Sequence, residues 1–289
     1  ERARLTAHLA KDHMIAGRFS SAVPVGREAL GLALRAGDAE AEAAALMALG
    51  VSLIETGGLG EGRDRLWEAI GLATTPSAAV AAYVNLADAL HVDGRSEEAL
   101  DVALEGLERL PASERADTWL ETTTTEIEWA LGAWERARER ATGLGRHDTG
   151  PAGLFVSFVR AEIALADGDA DTATALLDRG AATAAELRQP RFVGWYGTLR
   201  ARVARRAGDA PAARGALDHA LTAIGPTAED RPPIAELAQT GVEVEADAAQ
   251  RARDVGDEEG ERLATGRAEA HVAQARRCAD PPRPVEVAR

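Results

Sequence analysis

Seven times along this chain an alanine-rich helical run stops at a glycine and restarts within a few residues. The breaks are Ala16-Gly17-Arg18, Thr56-Gly57-Gly58, Asp93-Gly94-Arg95, Leu131-Gly132-Ala133, Asp167-Gly168-Asp169, Ala207-Gly208-Asp209 and Val255-Gly256-Asp257. Successive glycines lie 40, 37, 38, 36, 40 and 48 residues apart. One helical hairpin cannot bury its own apolar face, so hairpins recurring at such a period must stack on one another. The spacing predicts an all-α fold, a right-handed α-solenoid of about seven hairpins, with each named glycine in a turn between two antiparallel helices.

Composition narrows what such an array can do. At 46% hydrophobic and 28% charged residues the chain can build a core and is too apolar for disorder. Aromatic residues are only 4%, so the core must be mostly Ala, Leu and Val, and small residues suit closely packed helices. A net charge of −14 repels phosphate backbones, which argues against direct nucleic-acid binding by this segment. Cys278 is the only cysteine, so no internal disulfide forms, which fits a cytoplasmic location. No apolar run reaches the roughly 20 residues that span a bilayer, and no signal peptide is visible, so no membrane role is expected. The chain opens on Glu1-Arg2-Ala3-Arg4 already in helical rhythm and ends at residues 284–289 without a capping helix; both ends read as cut from a longer protein.

The best copy of the repeat covers residues 78–111. Tyr83, Leu86, Ala87 and Leu90 follow i, i+3, i+4, i+7 and share one helix face. Gly94 gives the turn its backbone freedom. Ser96 is placed to cap the second helix, with Glu97 and Glu98 in its first turn. Ala99, Ala103 and Gly106 are small where a neighbouring helix would approach, and Pro111 is expected to stop the helix. In this register the set resembles the tetratricopeptide repeat (TPR), with Ala103 and Gly106 departing from the aromatic and the alanine of that pattern.

Weaker copies follow the same frame. Leu9-Ala10, His13, Ala22 and Ala29 flank Gly17, and Leu49-Gly50, Leu53, Leu66 and Ala69 flank Gly57. Ala137, Ala173 and Ala213 each lie five residues past a turn glycine, as Ala99 does. The segmentation read from this is residues 1–225 as six repeats, 226–233 as a proline-rich loop or hinge, and 234–289 as a degenerate, truncated seventh repeat with a long first helix. A second, looser resemblance lies in Glu243 to Asp247, Arg251 to Asp257 and Arg283 to Ala288. It is similar to the helical region of large actinobacterial ATP-binding LuxR-type, MalT-like, transcription regulators. That resemblance implies a P-loop ATPase upstream and a helix-turn-helix downstream, neither of which this sequence contains.

Chemistry-bearing motifs are scarce. There is no Walker A lysine, since Lys11 is the only lysine and follows Ala10. The stretch Gly57-Gly58-Leu59-Gly60-Glu61-Gly62 lacks dinucleotide-loop spacing and reads as a loosened hairpin turn. The six histidines form no HExxH, and one cysteine cannot build a thiolate site, so no metal or other cofactor is expected. Cys278 has no activating neighbour in sequence and reads as an inert thiol. Glu243 and Asp247 share a helix face but need no catalytic role. Arg200, Arg202, Arg205 and Arg206 read as a solvated basic face, with an acidic-peptide contact as the other reading. The run Thr122 to Thr125 reads as a tolerated helix interior, with strain or phosphorylation as alternatives.

One pattern stands apart. With Tyr83 at repeat position 4, position 2 of the next three copies is Trp119, Phe155 and Trp195, and Trp129 takes position 12 of the fourth copy. The TPR resemblance implies that positions 2, 5, 9 and 12 face the groove, which adds Asp88 and His91, with Asn85 beside them; Arg202 joins these candidates through the acidic-peptide reading of the basic run. An aromatic ladder in an aromatic-poor chain suits a peptide or apolar ligand; the rings can instead pack between adjacent first helices. The functional expectation is a non-catalytic scaffold that holds a protein, a peptide or a small effector in its groove, with no catalytic residue. The regulator resemblance would make it a sensor segment. A constitutive peptide-recruiting adaptor and a helical-repeat enzyme with a dispersed site are the alternatives.

Overall fold

A computed structural model describes residues 1–110, 118–144, 150–187, 189–225, 229 and 231–279. Among them are fourteen α-helices and no strand. They pair as α1 (Arg2–Ile15) with α2 (Phe19–Ala36), α3 (Ala39–Glu55) with α4 (Leu59–Leu72), α5 (Pro76–Val92) with α6 (Ser96–Arg109) and α7 (Trp119–Ala130) with α8 (Trp134–Gly143). Then come α9 (Gly150–Ala166) and α10 (Ala170–Glu186), α11 (Pro190–Arg206) and α12 (Ala210–Ile224), and α13 (Arg231–Asp254) with α14 (Glu258–Ala279). The 24 residues of α13 explain the long last interval between turn glycines.

All seven predicted glycines fall between the helices of a hairpin, with φ from 65° at Gly17 to 94° at Gly57. A side chain would be strained there, so glycine is demanded by the backbone itself. Each turn closes the same way. The glycine N–H donates three residues back, and the next N–H donates to the carbonyl five residues before it, as in Gly94 to His91 (3.0 Å) and Arg95 to Leu90 (2.9 Å). This double closure satisfies carbonyls that a helix end leaves open. In hairpins five and six the residue after the glycine is aspartate, and its side chain caps the following helix: Asp169 accepts from the Thr172 N–H and Asp209 from the Ala212 N–H. In hairpin seven Asp257 accepts from the Gly260 N–H in the same way.

Hairpin three departs from the sequence reading in one detail. Ser96 is the first residue of α6 rather than its cap; Arg95 takes the cap position without a side-chain bond, and the Ser96 hydroxyl lies 2.9 Å from His91 Nδ1. The helix ends at Arg109, while Pro111 lies outside the described residues. Of the loop read at 226–233, residues 226–228 and 230 also lie outside them, and α13 begins at Arg231, ahead of Ile234. Residues 280–289, which carry part of the regulator resemblance, are outside as well.

Small residues let the helices close on one another. Ala22, Ala99, Ala137, Ala173 and Ala213, each five past a turn glycine, are wholly buried. Hairpin two has Gly62 at that place, and a Cβ there would meet the Gly50 carbonyl oxygen at 2.5 Å. A Cβ on Gly50 would meet the Gly62 carbonyl oxygen at 2.9 Å, so the backbones of α3 and α4 touch. The glycine-rich stretch is therefore only partly turn: Gly60 and Gly62 already belong to α4. Gly106 lets Tyr83 and Leu120 approach in the same manner.

The described residues divide into two compact units, residues 1–159 and 160–279. In the first, Leu66, Tyr83, Leu86, Leu90, Leu120 and Ile127 form the main cluster. First helices stack on first helices, α1 on α3, α3 on α5 and α5 on α7. Thr122 to Thr125 are all buried inside α7, and Thr122, Thr124 and Thr125 donate to carbonyls four residues back. That is a helix interior, and a kinase has no access to it in the folded chain. In the second unit Leu217, Leu237 and Val244 pack among Ala201, Ala213 and Ala220, with α11 on α13. The Thr198 hydroxyl on α11 is buried without a hydrogen bond among the described residues. Thr198→Val removes that unpaired group at constant shape and should raise stability by about 1 kcal/mol, read as a higher urea midpoint. A lowered midpoint would show that the hydroxyl is paired.

Candidate functional site

The first helices of hairpins two to four carry a row of half-buried apolar side chains. Met47, Val51 and Ile54 come from α3, Val84 from α5 and Trp119 from α7, all resting on the main cluster of the first unit. They recur because three- and four-residue steps return to one helix face, and stacking aligns those faces. Polar groups stand beside them on α5. The Asn85 amide donates to the Ala81 carbonyl at 2.7 Å, so it is held by its own helix. Asp88 is half-buried one turn before His91. Burial pulls the His91 pKa below the ordinary histidine value, which keeps the ring neutral at neutral pH. Its contact with Ser96 ties the end of α5 to the start of α6.

The aromatic residues separate into three environments. Trp119 is half-buried, and its ring centroid lies 5.2 Å from that of Phe155 at a 37° tilt. Phe155 is 3% exposed and Trp195 6%, so both rings belong to the interior. Their burial favours packing between helices over the groove reading at position 2 of α9 and of α11. Trp129 is half-buried at the far end of α7, 6.3 Å from Trp134, with the Arg138 guanidinium 5.3 Å from its ring centroid. Trp134 is 52% exposed, and Leu131 between them is exposed too. The sequence reading missed this pair, although two of five tryptophans flanking one turn glycine is a readable signal.

Arg202 lies in the second unit, where two carboxylates already engage it. Its Nη1 is 3.1 Å from Glu162 and its Nη2 is 3.4 Å from Glu236. Arg205 pairs with Glu243 and, at 2.7 Å, with Asp247, while Arg200 pairs with Asp178 at 2.7 Å. Three of the four arginines of the predicted solvated face are thus ties between helices, while Arg206 is exposed. Burial pushes the Glu236 carboxyl upward, and Arg202 partly offsets this. Two further pairs are deeper: Glu128 with Arg140 (3.1 and 3.1 Å) and Glu245 with Arg214 (2.6 and 2.7 Å), each two-pronged. Both carboxylates are buried, so these pairs hold α7 to α8 and α12 to α13. Burial raises the Cys278 thiol pKa, consistent with an inert cysteine. No cluster of His, Cys, Asp or Glu suited to a metal ion occurs among the described residues. No helix among them is long and apolar enough to cross a membrane.

No family model and no curated protein sequence matches the chain. Among the solved structures that share its architecture are two multi-component complexes. One is a Rap protein complexed with competence and sporulation factor, at TM-score 0.60 and 15% identity, with 94% of this chain aligned to 75% of that one. The other is a chain of the APC/C hetero-tetramer Cut9-Hcn1, at TM-score 0.53 and 12% identity, covering 96% of this chain and 55% of that chain. At such identities the likeness shows the fold, a TPR-like array of stacked helical hairpins.

Proposed function

We propose that this chain is a non-catalytic binding scaffold that holds a protein or peptide segment along the first-helix face of hairpins two to four. The observation that carries this reading is the contrast between the two units. On the first, Met47, Val51, Ile54, Val84 and Trp119 leave an apolar row half open to solvent, with Asp88 and His91 beside it. On the second, the equivalent helices spend Glu162, Arg202, Arg205 and Glu243 on one another. An apolar row with a few polar groups can anchor a ligand and orient it. Both structural neighbours were solved as complexes, one with competence and sporulation factor and one as Cut9-Hcn1, which supports a binding role. A finer form of the reading makes the segment the cytoplasmic sensor of a LuxR-type regulator, in which an occupied groove biases attached domains; its support is the sequence resemblance alone.

The test uses peptides selected from a random display library on the 289-residue chain. The expected result is that selected peptides lose about 2 kcal/mol of affinity, roughly thirtyfold, on Trp119→Ala. They should be unaffected by Arg200→Ala in the second unit. Peptides that all tolerate Trp119→Ala and Val84→Ala would overturn the assignment of this face.

A further inference from the structure

We infer that the outer face of α14 joins a second copy of this chain in an antiparallel, two-fold contact. α14 packs on α13 through an adjoining side, burying Ala264 and laying the His271 ring against Gly241. What remains is a face of Thr265, Ala268, Glu269, Val272, Ala273 and Arg276 bordering an open cavity of about 430 Å³. Val272 is half-buried at its middle, between the small residues Ala268 and Ala273. Small side chains let a second helix come close.

The charges on this face select the partner. Near the start of α14, Glu261 pairs with Arg253 and Glu259 with Arg262, while Arg267 and Arg277 lie off the proposed face. Glu269 and Arg276 are exposed and take part in no ion pair among the described residues. They stand seven residues apart, two turns along the same side of the helix. An antiparallel copy centred between Val272 and Ala273 places Glu269 opposite Arg276 of the second copy, and the reverse pair follows by symmetry. A two-fold contact is self-complementary in this sense. A parallel copy would set Glu269 against Glu269, so the same charges oppose that orientation. Antiparallel helix dipoles favour the pairing as well. The contact spans about three turns, and each copy carries a net charge of −14, so the dimer is a weak one.

Sedimentation velocity on the 289-residue chain, from about 5 to 200 µM, reads this out in the concentration range of a weak contact. The weight-average mass should climb toward a dimer with concentration. Glu269→Arg and Arg276→Glu should each weaken association by about tenfold or more, because each sets like charges opposite one another. The double variant should recover it, and an equimolar mixture of the two single variants should form a heterodimer, since both cross-pairs then become opposite in sign. Unchanged helix melting in all variants separates these effects from unfolding. A concentration-independent monomer would overturn the inference. So would a dimer that ignores both single reversals, or a loss that neither the double variant nor the mixture repairs.

Discussion

Trp195→Ala should cost about 3–5 kcal/mol of folding stability, the usual penalty for emptying a large aromatic site in a packed interior. Trp195 is 6% exposed on α11, and the same helix packs against α12 and α13 through Gly194 and Gly197. Glycines that already bring backbones together leave little room to collapse into the hole. A Cβ on Gly197 would lie 2.4 Å from Ala220 Cβ, and one on Gly194 2.5 Å from Pro233 Cβ. Urea unfolding followed by far-ultraviolet circular dichroism should therefore show a large fall in midpoint. A stacked array need not melt in one step, so amide exchange on α11 to α13 should lose protection in parallel. A midpoint shifted by less than about 1 kcal/mol, within the range of surface substitutions, would return Trp195 to the surface and reopen the aromatic ladder.

Arg140→Met should be nearly as damaging, at about 3 kcal/mol, because it leaves the Glu128 carboxylate buried with no counter-charge. Glu128 is 1% exposed and receives both prongs of the guanidinium, whose own side chain is 27% exposed. That partial exposure is the reason for choosing the lower end of the range. The informative variant is the double one. Glu128→Leu with Arg140→Met removes the charge together with its partner, and stability should return to within about 1 kcal/mol of the parent. A double variant as unstable as Arg140→Met alone would show that the arginine stem, not the ion pair, holds α8 in place.

The architecture was legible because its causes are local. A turn needing positive φ selects glycine, and the residue five further on selects alanine because a helix passes over it; both requirements repeat with the period. Seven glycines and five buried alanines thus report seven hairpins before any long-range contact is known. Ser96 misled because a serine after Gly-Arg looks like a cap, while the double closure of the turn starts the helix one residue sooner. The partners of Glu128 and Glu245 lie 12 and 31 residues away on other helices, and nothing in local spacing marks them. Arg202 and its neighbours looked solvated for the same reason. Phe155 and Trp195 occupy the repeat position of Trp119, yet their exposure depends on which side chains the adjacent helices bring, and these differ from copy to copy. The sequence registers position within a repeat far better than it registers the size of the neighbouring repeat's side chains.

The touching backbones of α3 and α4 and the arginine ties of α11 answer mechanical load in opposite ways. Steric overlap rises steeply with displacement, so Gly50 and Gly62 act as interlocked teeth: the hairpin either stays in register or comes apart. Coulomb attraction varies only as the inverse of distance, so sliding by about 1 Å changes an ion pair little. Arg205 also has two carboxylates one turn apart, Glu243 and Asp247, and can release one while keeping the other. Pulled along its length, the second unit would give first at its ion pairs, while the close contacts of α11, Gly194 against Pro233 of α13 among them, would hold as the α3–α4 hairpin does.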